Sequence, residues 1–560
     1  MSGTARTTLS ALLALLCSLA GTAWAQDESA GNSAEASTAS AGDEDPDNLE
    51  VRGATIRAVD IRIDNVFDTS NQGEDKRLYR VANRIHRRTR QHVIENILLF
   101  ESDQILDARL LAETERLLRA QRFIADASIV AGDYDATTNS TAVDVHVRDS
   151  WSLEPDMKWS RGGGANEYAI GATEDNLFGL GKSMTVAFES DVDRDQRIFL
   201  FTDPNLRGSR VRMEIDLADQ TDGKRIGFHA GRPFYSLDSR WSISATTLDN
   251  ERVEPKYDLG EIIDRYRHDT RRFDLQGGYS RGLVDGVTRR WIAGLTSEED
   301  LFQGAEGRDA PLLVPVDRKL VYPWVGVQIV EDDFRQVTEL NDIGRTEDVA
   351  LGLNLTATVG FASTGLGSDR DATVLDLNAS KGWEPGGPGS LFMMRASATA
   401  REEDIGVRNS IVEVAGQYYR RNFQKGLLSV SMRAVLANKL DFENQVLLGG
   451  DSGLRGYPLR YQAGERSTIF SAEQRFFTNW YPFRLIRVGY AFFMDAGRVW
   501  GDDSRSVSDL GTLYDVGVGL RLTSPRSSSH SVIHIDLAFP VNAPADIDNV
   551  QLNLERKLSF

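Results

Sequence analysis

Apolar and polar residues alternate along most of the chain from Trp151 onward, and Gly, Asp, Asn, Ser and Pro residues separate the alternating segments. Residues 349–361 and 513–522 are two regular examples, in which nearly every second position is apolar. Because successive side chains of a strand point to opposite faces, the pattern predicts β-strands with one apolar and one polar face. The pattern leaves open which face points inward, since a soluble sandwich and a membrane barrel both show it.

Fifteen such strands can be drawn before Tyr457 and five after it. The last five are predicted at about residues 467–477, 486–498, 513–522, 531–539 and 549–559. No segment beyond the N-terminus has eighteen consecutive apolar residues, which excludes spanning helices but not spanning strands.

The region from residue 54 to residue 150 has a different pattern that predicts a small α+β domain. Its predicted elements are a strand from about Thr55, helices at 89–99 and 107–120, and strands at 124–134 and 141–148. Asp107 is the predicted N-cap of the second helix. The stretch 80–92 is rich in arginine and histidine, and we interpret it as a solvated helix face rather than a patch for lipid headgroups or nucleic acid.

The chain begins with features typical of export. Residues 1–25 carry Arg6, an apolar stretch and an Ala-Trp-Ala site, and predict a secretory signal peptide. Residues 26–53 are mostly small and acidic, so we expect a disordered acidic linker. Cys17 is the only cysteine and lies in the signal peptide, so the mature chain has no disulfide or thiolate site. The net charge of −19 disfavours a general nucleic-acid binder.

One arginine and one aspartate form the most specific pair of candidate residues. The segment 449–457 reads GGDSGLRGY and contains Arg455, and the segment 493–497 reads FMDAG and contains Asp495. Strand parity places Asp495 on a face of mostly small residues, with Gly497. A glycine-flanked arginine that enters from a loop would fit there and pair with the carboxylate.

Catalytic and metal chemistry have weaker support. The segment 450–453 reads GDSG, like the nucleophile segment of trypsin-like proteases, but no histidine lies in the context of a triad. His534 and Asp536 share one face of a strand and lack a third ligand. We predict no catalytic, cofactor-binding or metal site, and therefore no enzyme.

Four segments resemble the BamA/TamA family of outer-membrane proteins and its two-partner-secretion relatives. They are DNLFGLG at 175–181, FTDPNL at 201–206, LRGY at 454–457 and FMDAG at 493–497. The order of elements over 54–150 resembles that of a POTRA domain, and the alternating C-terminus that ends on Phe560 resembles the barrel-assembly signal.

The resemblance implies a transmembrane antiparallel β-barrel over residues 151–560, preceded by one POTRA-like periplasmic domain at 54–150. Family barrels have sixteen strands, so we expect about sixteen and up to twenty. The resemblance implies that Arg455, with Gly456 and Tyr457, folds into the lumen and meets Asp495 near Gly497, forming a lumen latch. Phe560 is the expected assembly signal.

The implied function is insertion of proteins into the outer membrane or translocation of polypeptide, in which the POTRA unit binds the client. The expected partners are unfolded outer-membrane or secreted clients, outer-membrane lipid and lipopolysaccharide. We expect a monomeric barrel, which could have a periplasmic or inner-membrane partner. A transporter for a single secreted partner and a passive channel remain the alternatives.

Overall fold

The N-terminal part of the chain folds as a small α+β unit. The protein is represented by a computed structural model that describes residues 45–558, except 72–73, 163–164, 306–313, 339, 341–345, 388, 424, 502–509, 529–530 and 546. The N-terminal unit, residues 45–150, contains helices α1 Pro46–Val51, α2 Arg77–Ile85, α3 Gln91–Glu95 and α4 Ala108–Arg119 and strands β1 Thr55–Asp64, β2 Ile124–Asp135 and β3 Ser140–Asp149. The sheet order is β1-β3-β2, with β1 parallel and β2 antiparallel to β3.

The core of the N-terminal unit forms where the apolar side of α4 covers the sheet. Leu111 and Leu118 of α4 are buried against Val143, Val145 and Val147 of β3. The carboxylate of Asp107 accepts a hydrogen bond from the backbone N–H of Leu110, as an N-cap does.

Two predictions for this region are wrong in part. The linker predicted at 26–53 contains α1, in which Asp45 caps the helix and the fully buried Leu49 packs into the core. The helix predicted at 89–99 is the shorter α3. Helix α2 precedes it and overlaps the first part of the stretch 80–92, which is therefore not one continuous helix face. Leu49 is the one buried apolar residue of this helix and lies in an acidic segment, which is too weak a pattern to predict a packed helix. The signal peptide lies outside the described residues.

The rest of the chain is an antiparallel β-barrel. Its elements are β4 Leu153–Gly162, β5 Ala165–Glu174, β6 Ser183–Ser190, β7 Asp195–Asp203, β8 Arg212–Gln220, β9 Gly223–Arg232, β10 Trp241–Asp258, β11 Glu261–Val284, β12 Val287–Gly304, β13 Arg318–Glu331, β14 Phe334–Thr338, β15 Thr346–Ala350, β16 Asn354–Ala362, β17 Ala372–Trp383, β18 Ser390–Glu403, β19 Gly406–Asn422, β20 Gly426–Asn438, β21 Val446–Leu448, β22 Gln462–Gly464, β23 Arg466–Phe477, β24 Arg487–Trp500, β25 Leu513–Thr523, β26 Ser531–Pro540 and β27 Gln551–Leu558. Strands β14 and β15 pair with each other, as do β21 and β22, and the remaining twenty form the barrel.

The barrel therefore has twenty strands, the upper end of the expected range, rather than sixteen. Fifteen barrel strands precede Tyr457 and five follow it, as the alternation predicts. Each of the twenty spans at least eight residues, so none is a fragment of a longer strand. One predicted segment, 349–361, is divided between β15 and β16, because Asp333 O accepts hydrogen bonds from the N–H groups of Leu351 and Gly352.

The apolar faces of the barrel strands point outward and the polar faces point inward. In β24, Tyr490, Phe492 and Met494 are exposed on the outside, whereas Asp495 is buried on the inside. This arrangement suits a barrel whose outer surface meets lipid. Within the described residues, no helix is long and apolar enough to cross a membrane.

The junction between the first and last barrel strands has little pairing. Among the described residues, β27 and β4 meet at one registered position, Leu554 opposite Arg161. On its other side β27 pairs with β26 along its whole length. We call the junction of β4 and β27 the seam.

The β14–β15 hairpin links the N-terminal unit to one end of the barrel. Leu340, in the connection between β14 and β15, and Leu351, directly after β15, pack against Leu391, Tyr419 and Leu427 on the barrel strands. On the other side the hairpin meets α4, where Arg119 forms two hydrogen bonds of 2.7 Å to Asp348 and also contacts Glu115. Burial alone would lower the pKa of Arg119, but the hydrogen bonds to Asp348 and Glu115 outweigh it and raise that pKa.

The ion pair of Arg119 and Asp348 should stabilise this connection. In a double-mutant cycle with Arg119→Ala and Asp348→Ala, we expect a coupling free energy of about 1–3 kcal/mol, measured by urea unfolding in detergent micelles. The control is the pair Arg197 and Asp219, whose side chains are 77% and 73% exposed. A coupling at Arg119 and Asp348 no larger than that of this control would contradict the expected link.

Candidate functional site

The long loop between β20 and β23, residues 439–465, folds into the barrel. Its tip is a compact turn in which the N–H of Leu454 donates to Gly449 O at 3.0 Å and the N–H of Gly450 donates to Pro458 O at 3.0 Å. Ser452 Oγ accepts a hydrogen bond from the N–H of Gly449 at 2.7 Å. Asp451 and Ser452 therefore lie in the turn that presents Arg455.

Arg455 lies at the centre of a buried charge cluster on the lumen wall. Its Nε and Nη2 donate to the two carboxylate oxygens of Asp495 at 2.7 and 2.9 Å. Its Nη1 donates to Glu473 at 3.0 Å and to Asp536 at 3.1 Å. The guanidinium carbon also lies 3.3 Å from the ring centre of Phe493. These contacts satisfy a charge that is only 6% exposed.

A second arginine completes the cluster. Arg521 on β25 contacts Glu473 at 2.7 Å and Asp536 at 2.5 Å, so both carboxylates bridge the two guanidinium groups. Arg475 also contacts Glu473, at 2.7 Å. We call Arg455, Glu473, Asp495, Arg521 and Asp536 the latch cluster. The strands β23, β24, β25 and β26 each supply at least one of its members, so the loop is bound across four neighbouring strands.

The residues around Arg455 fit the wall closely. The N–H of Gly456 donates to Asp515 at 3.0 Å, and a Cβ at position 456 would lie 2.7 Å from the Cβ of Asp515. A Cβ at position 497 would lie 2.8 Å from Leu448, so Gly497 makes room for the loop. Tyr457 is fully buried, and its hydroxyl contacts Tyr514 O at 3.1 Å.

The same loop is also bound to two other parts of the barrel wall. Asp441 accepts hydrogen bonds from Arg318 on β13 and Arg401 on β18, each at 2.9 Å. Arg460 forms two hydrogen bonds of 2.9 Å to Asp193 in the turn between β6 and β7. The loop therefore crosses the lumen and contacts the wall on three separate arcs.

Two of the sequence motifs lie at the junction with the N-terminal unit. In the turn 175–181, the side-chain amide of Asn176 donates to Thr89 Oγ1 at 2.8 Å, and Gly179 O accepts from the N–H of Arg90 at 2.9 Å. In the turn that follows the motif at 201–206, Arg210 donates to Leu98 O at 2.8 Å. Both turns hold the unit at the barrel end where β4 begins.

The structure brings together five of the six predicted site residues. Arg455, Gly456, Tyr457, Asp495 and Gly497 lie in or beside the latch cluster, whereas Phe560 lies outside the described residues. Sequence reasoning missed Glu473 and Arg521, and it placed Asp536 on one strand face with His534 without assigning it a partner. The lumen-face parity of their strands was a usable signal, since charged residues on that face need partners.

In the part of the chain that the structure describes, no group of three or more His, Cys, Asp or Glu residues is arranged to hold a metal ion.

Removal of Arg455 should destabilise the barrel. The Arg455→Ala variant leaves Asp495 without its principal cationic partner in a buried site, so we expect a loss of about 3–5 kcal/mol in the free energy of unfolding. The measurement is urea unfolding in detergent micelles, followed by tryptophan fluorescence. Arg455→Lys keeps the charge but not the two-bond geometry and should fall between the wild type and Arg455→Ala.

Arg433→Ala is the matched control for this prediction. Arg433 pairs with Glu413, and the two side chains are 50% and 34% exposed, so its removal should cost less than about 1 kcal/mol. Equal losses of unfolding free energy in Arg455→Ala and Arg433→Ala would show that the latch cluster stabilises the barrel no more than an exposed ion pair does.

The chain was compared with curated protein sequences and with solved structures. No curated protein sequence matches the chain. Among solved structures, it is similar to BamA from Haemophilus ducreyi lacking POTRA domains 1–3, with 11% identity, coverage of 89% of this chain and 84% of that chain, and a TM-score of 0.40. It is also similar to CdiB from Escherichia coli, with 13% identity, coverage of 90% and 76%, and a TM-score of 0.46. These two likenesses have TM-scores too low to add to the argument.

The sequence match to a family model is more informative. It covers residues 396–559, which include the long loop, the whole latch cluster and the five strands after the loop. The C-terminal part of this barrel therefore matches the model of the Omp85 superfamily domain.

Proposed function

We propose that this protein inserts barrel proteins into the outer membrane of a Gram-negative cell or moves polypeptide across it. The observation that carries the proposal is an Omp85 superfamily domain whose long loop is bound inside the lumen by the latch cluster. A loop held by buried charges on three arcs stiffens the barrel while leaving the seam as its least paired junction. The proposal includes no catalytic step.

The N-terminal unit would act as a POTRA-like periplasmic domain that receives the client at the barrel mouth. Its position supports this role, because the turns after β5 and β7 and the β14–β15 hairpin all contact it. Strand addition would have to use the uncovered parts of its sheet edges. Part of the β2 edge is already covered, because Glu115 accepts from the N–H of Ile129 and Arg119 donates to Ala127 O.

The seam is the proposed site at which the client meets the barrel. Each unpaired backbone N–H and C=O group of a strand edge can pair with an added strand. A client strand that pairs with β4 or β27 would replace few existing hydrogen bonds, so addition there would cost little. Secretion of a single partner would instead use the lumen, from which the loop would have to be displaced.

A passive channel is less consistent with the geometry. The loop crosses the lumen, and Arg455, Tyr457 and Leu454 are each buried between the loop and the wall. An open pore would need this buried cluster to separate.

Depletion of the protein in its native cell should distinguish these functions. We expect specific barrel proteins to be lost from the outer-membrane proteome if insertion is the activity, or one secreted protein to be lost from the medium if export is the activity. Quantitative mass spectrometry of both fractions is the measurement, and complementation with the wild-type gene is the control. Unchanged proteomes would contradict both forms of the proposal.

Locking the seam should block activity. Arg161 and Leu554 are directly opposed in an antiparallel pair, so cysteines at these two positions lie within the range for a disulfide. We expect the oxidised double variant to lose the activity that depletion reveals and to regain it on reduction.

A matched crosslink at Ala357 and Leu377 joins β16 to β17 within the continuous sheet and should leave activity unchanged. Full activity of the oxidised seam variant would contradict the proposed role of the seam.

A further inference from the structure

Helix α2 of the N-terminal unit has an exposed apolar stripe. Leu78, Val81 and Ile85 are 59%, 43% and 61% exposed, and their spacing of three and four residues places them on one side of the helix. The opposite side is occupied, since Tyr79 is buried and stacks on Phe67 with ring centres 4.7 Å apart. The stripe is therefore a free surface and not a part of the unit's core.

Arginines flank the stripe. Arg77, Arg80 and Arg84 are exposed on the same helix, and Arg87, Arg88 and Arg90 are exposed in the segment that follows it. At 100° per residue, Arg77 and Arg84 lie next to Val81 on the side away from Tyr79. A short apolar stripe beside a row of arginines is typical of helices that lie in a membrane interface.

The helix is attached to a membrane-facing edge of the barrel. The hydroxyl of Tyr79 donates to Phe483 O at 2.6 Å, in the turn between β23 and β24. In this turn Trp480, Phe483 and Ile486 are 66%, 78% and 44% exposed, and the turn continues into the exposed apolar side chains of β24. A second tie is the ion pair of Arg526 and Glu74 at 2.5 Å. Helix α2 is thus held close to the rim of the apolar outer surface.

We propose that α2 lies on the periplasmic leaflet of the membrane that holds the barrel. Leu78, Val81 and Ile85 enter the boundary between headgroups and acyl chains, and the flanking arginines bind phospholipid phosphates. Positive charge beside the stripe fits a phosphate surface, and the contact of Tyr79 with Phe483 holds the helix close to the lipid-facing rim. The inference requires only that the barrel spans a membrane, and it does not depend on client activity.

Depth-dependent quenching tests this contact in the full-length protein. The mature chain has no other cysteine, so single cysteines at Leu78 and Ile85 can carry a fluorescent label. The protein is placed, one copy per nanodisc, in phosphatidylethanolamine and phosphatidylglycerol, with a fraction of the lipid carrying a nitroxide near the headgroup. We expect about twofold or greater quenching at both positions, as for an interfacial helix.

The control label is Ala136→Cys, an exposed position in the β2–β3 turn at the sheet end remote from Trp151. It should be quenched by aqueous iodide and not by the lipid nitroxide. Combined substitution of Arg77, Arg80 and Arg84 by Glu should reduce the lipid quenching at Leu78→Cys.

Two results would overturn the proposal. In the first, the labels at 78 and 85 respond to iodide as the label at 136 does, with no lipid quenching, which means a solvated helix. In the second, they are shielded from both quenchers, which means that protein covers the stripe. Loss of client activity in the depletion experiment bears on the proposed function and leaves this measurement unaffected.

Discussion

The buried contact between Arg455 and the carboxylates of the lumen wall is the interaction on which the rest of the barrel depends. A guanidinium that is 6% exposed is tolerable only with its charge matched, and Asp495, Glu473 and Asp536 supply that match together with the ring of Phe493. Because these groups come from β23, β24 and β26, the contact fixes the loop and the relative register of the strands that follow it. The absence of a Cβ at Gly456 lets the loop backbone approach Asp515, and its absence at Gly497 makes room for the side chains of Leu448 and Leu454.

A wide barrel also needs support away from the latch cluster. Twenty strands enclose a large lumen, and the loop meets this need by contacting β13 and β18 through Asp441 and the β6–β7 turn through Arg460. At the other end, the β14–β15 hairpin fills part of the mouth and carries α4 through Arg119. At the seam, Asn553 of β27 donates to Arg455 O of the loop at 2.6 Å, but β4 and β27 pair with each other at only one registered position among the described residues, so we expect opening at this junction.

Much of this architecture is readable from side-chain parity. Alternation predicts all five strands after Tyr457 to within about two residues, and it places Asp495 on the inner face. The count of twenty also follows from the alternation, whereas the family resemblance suggests sixteen, because a resemblance in a few motifs carries no information about added hairpins. Arg455 and Asp495 could be paired from sequence since a lone buried charge needs a partner.

Other features depend on tertiary contacts that a local pattern cannot reveal. Helix α1 rests on the single buried Leu49, and the break between β15 and β16 depends on Asp333 from the other arm of the hairpin. The roles of Glu473 and Arg521 require knowing which lumen-facing residues are neighbours across strands. The apolar stripe of α2 is hard to detect in the sequence, because the arginines between its apolar residues give the segment the pattern of an ordinary solvated surface.

Hydrogen exchange of the loop tip in the wild-type protein tests the central claim most directly. If the latch cluster holds the loop in the lumen, the amides of residues 449–457 should exchange as slowly as those of β24, since Gly450, Leu454 and Gly456 donate to acceptors inside the barrel. Exchange of these amides as fast as that of the exposed turn at Leu259 would show that the loop is not held there, and would contradict the account.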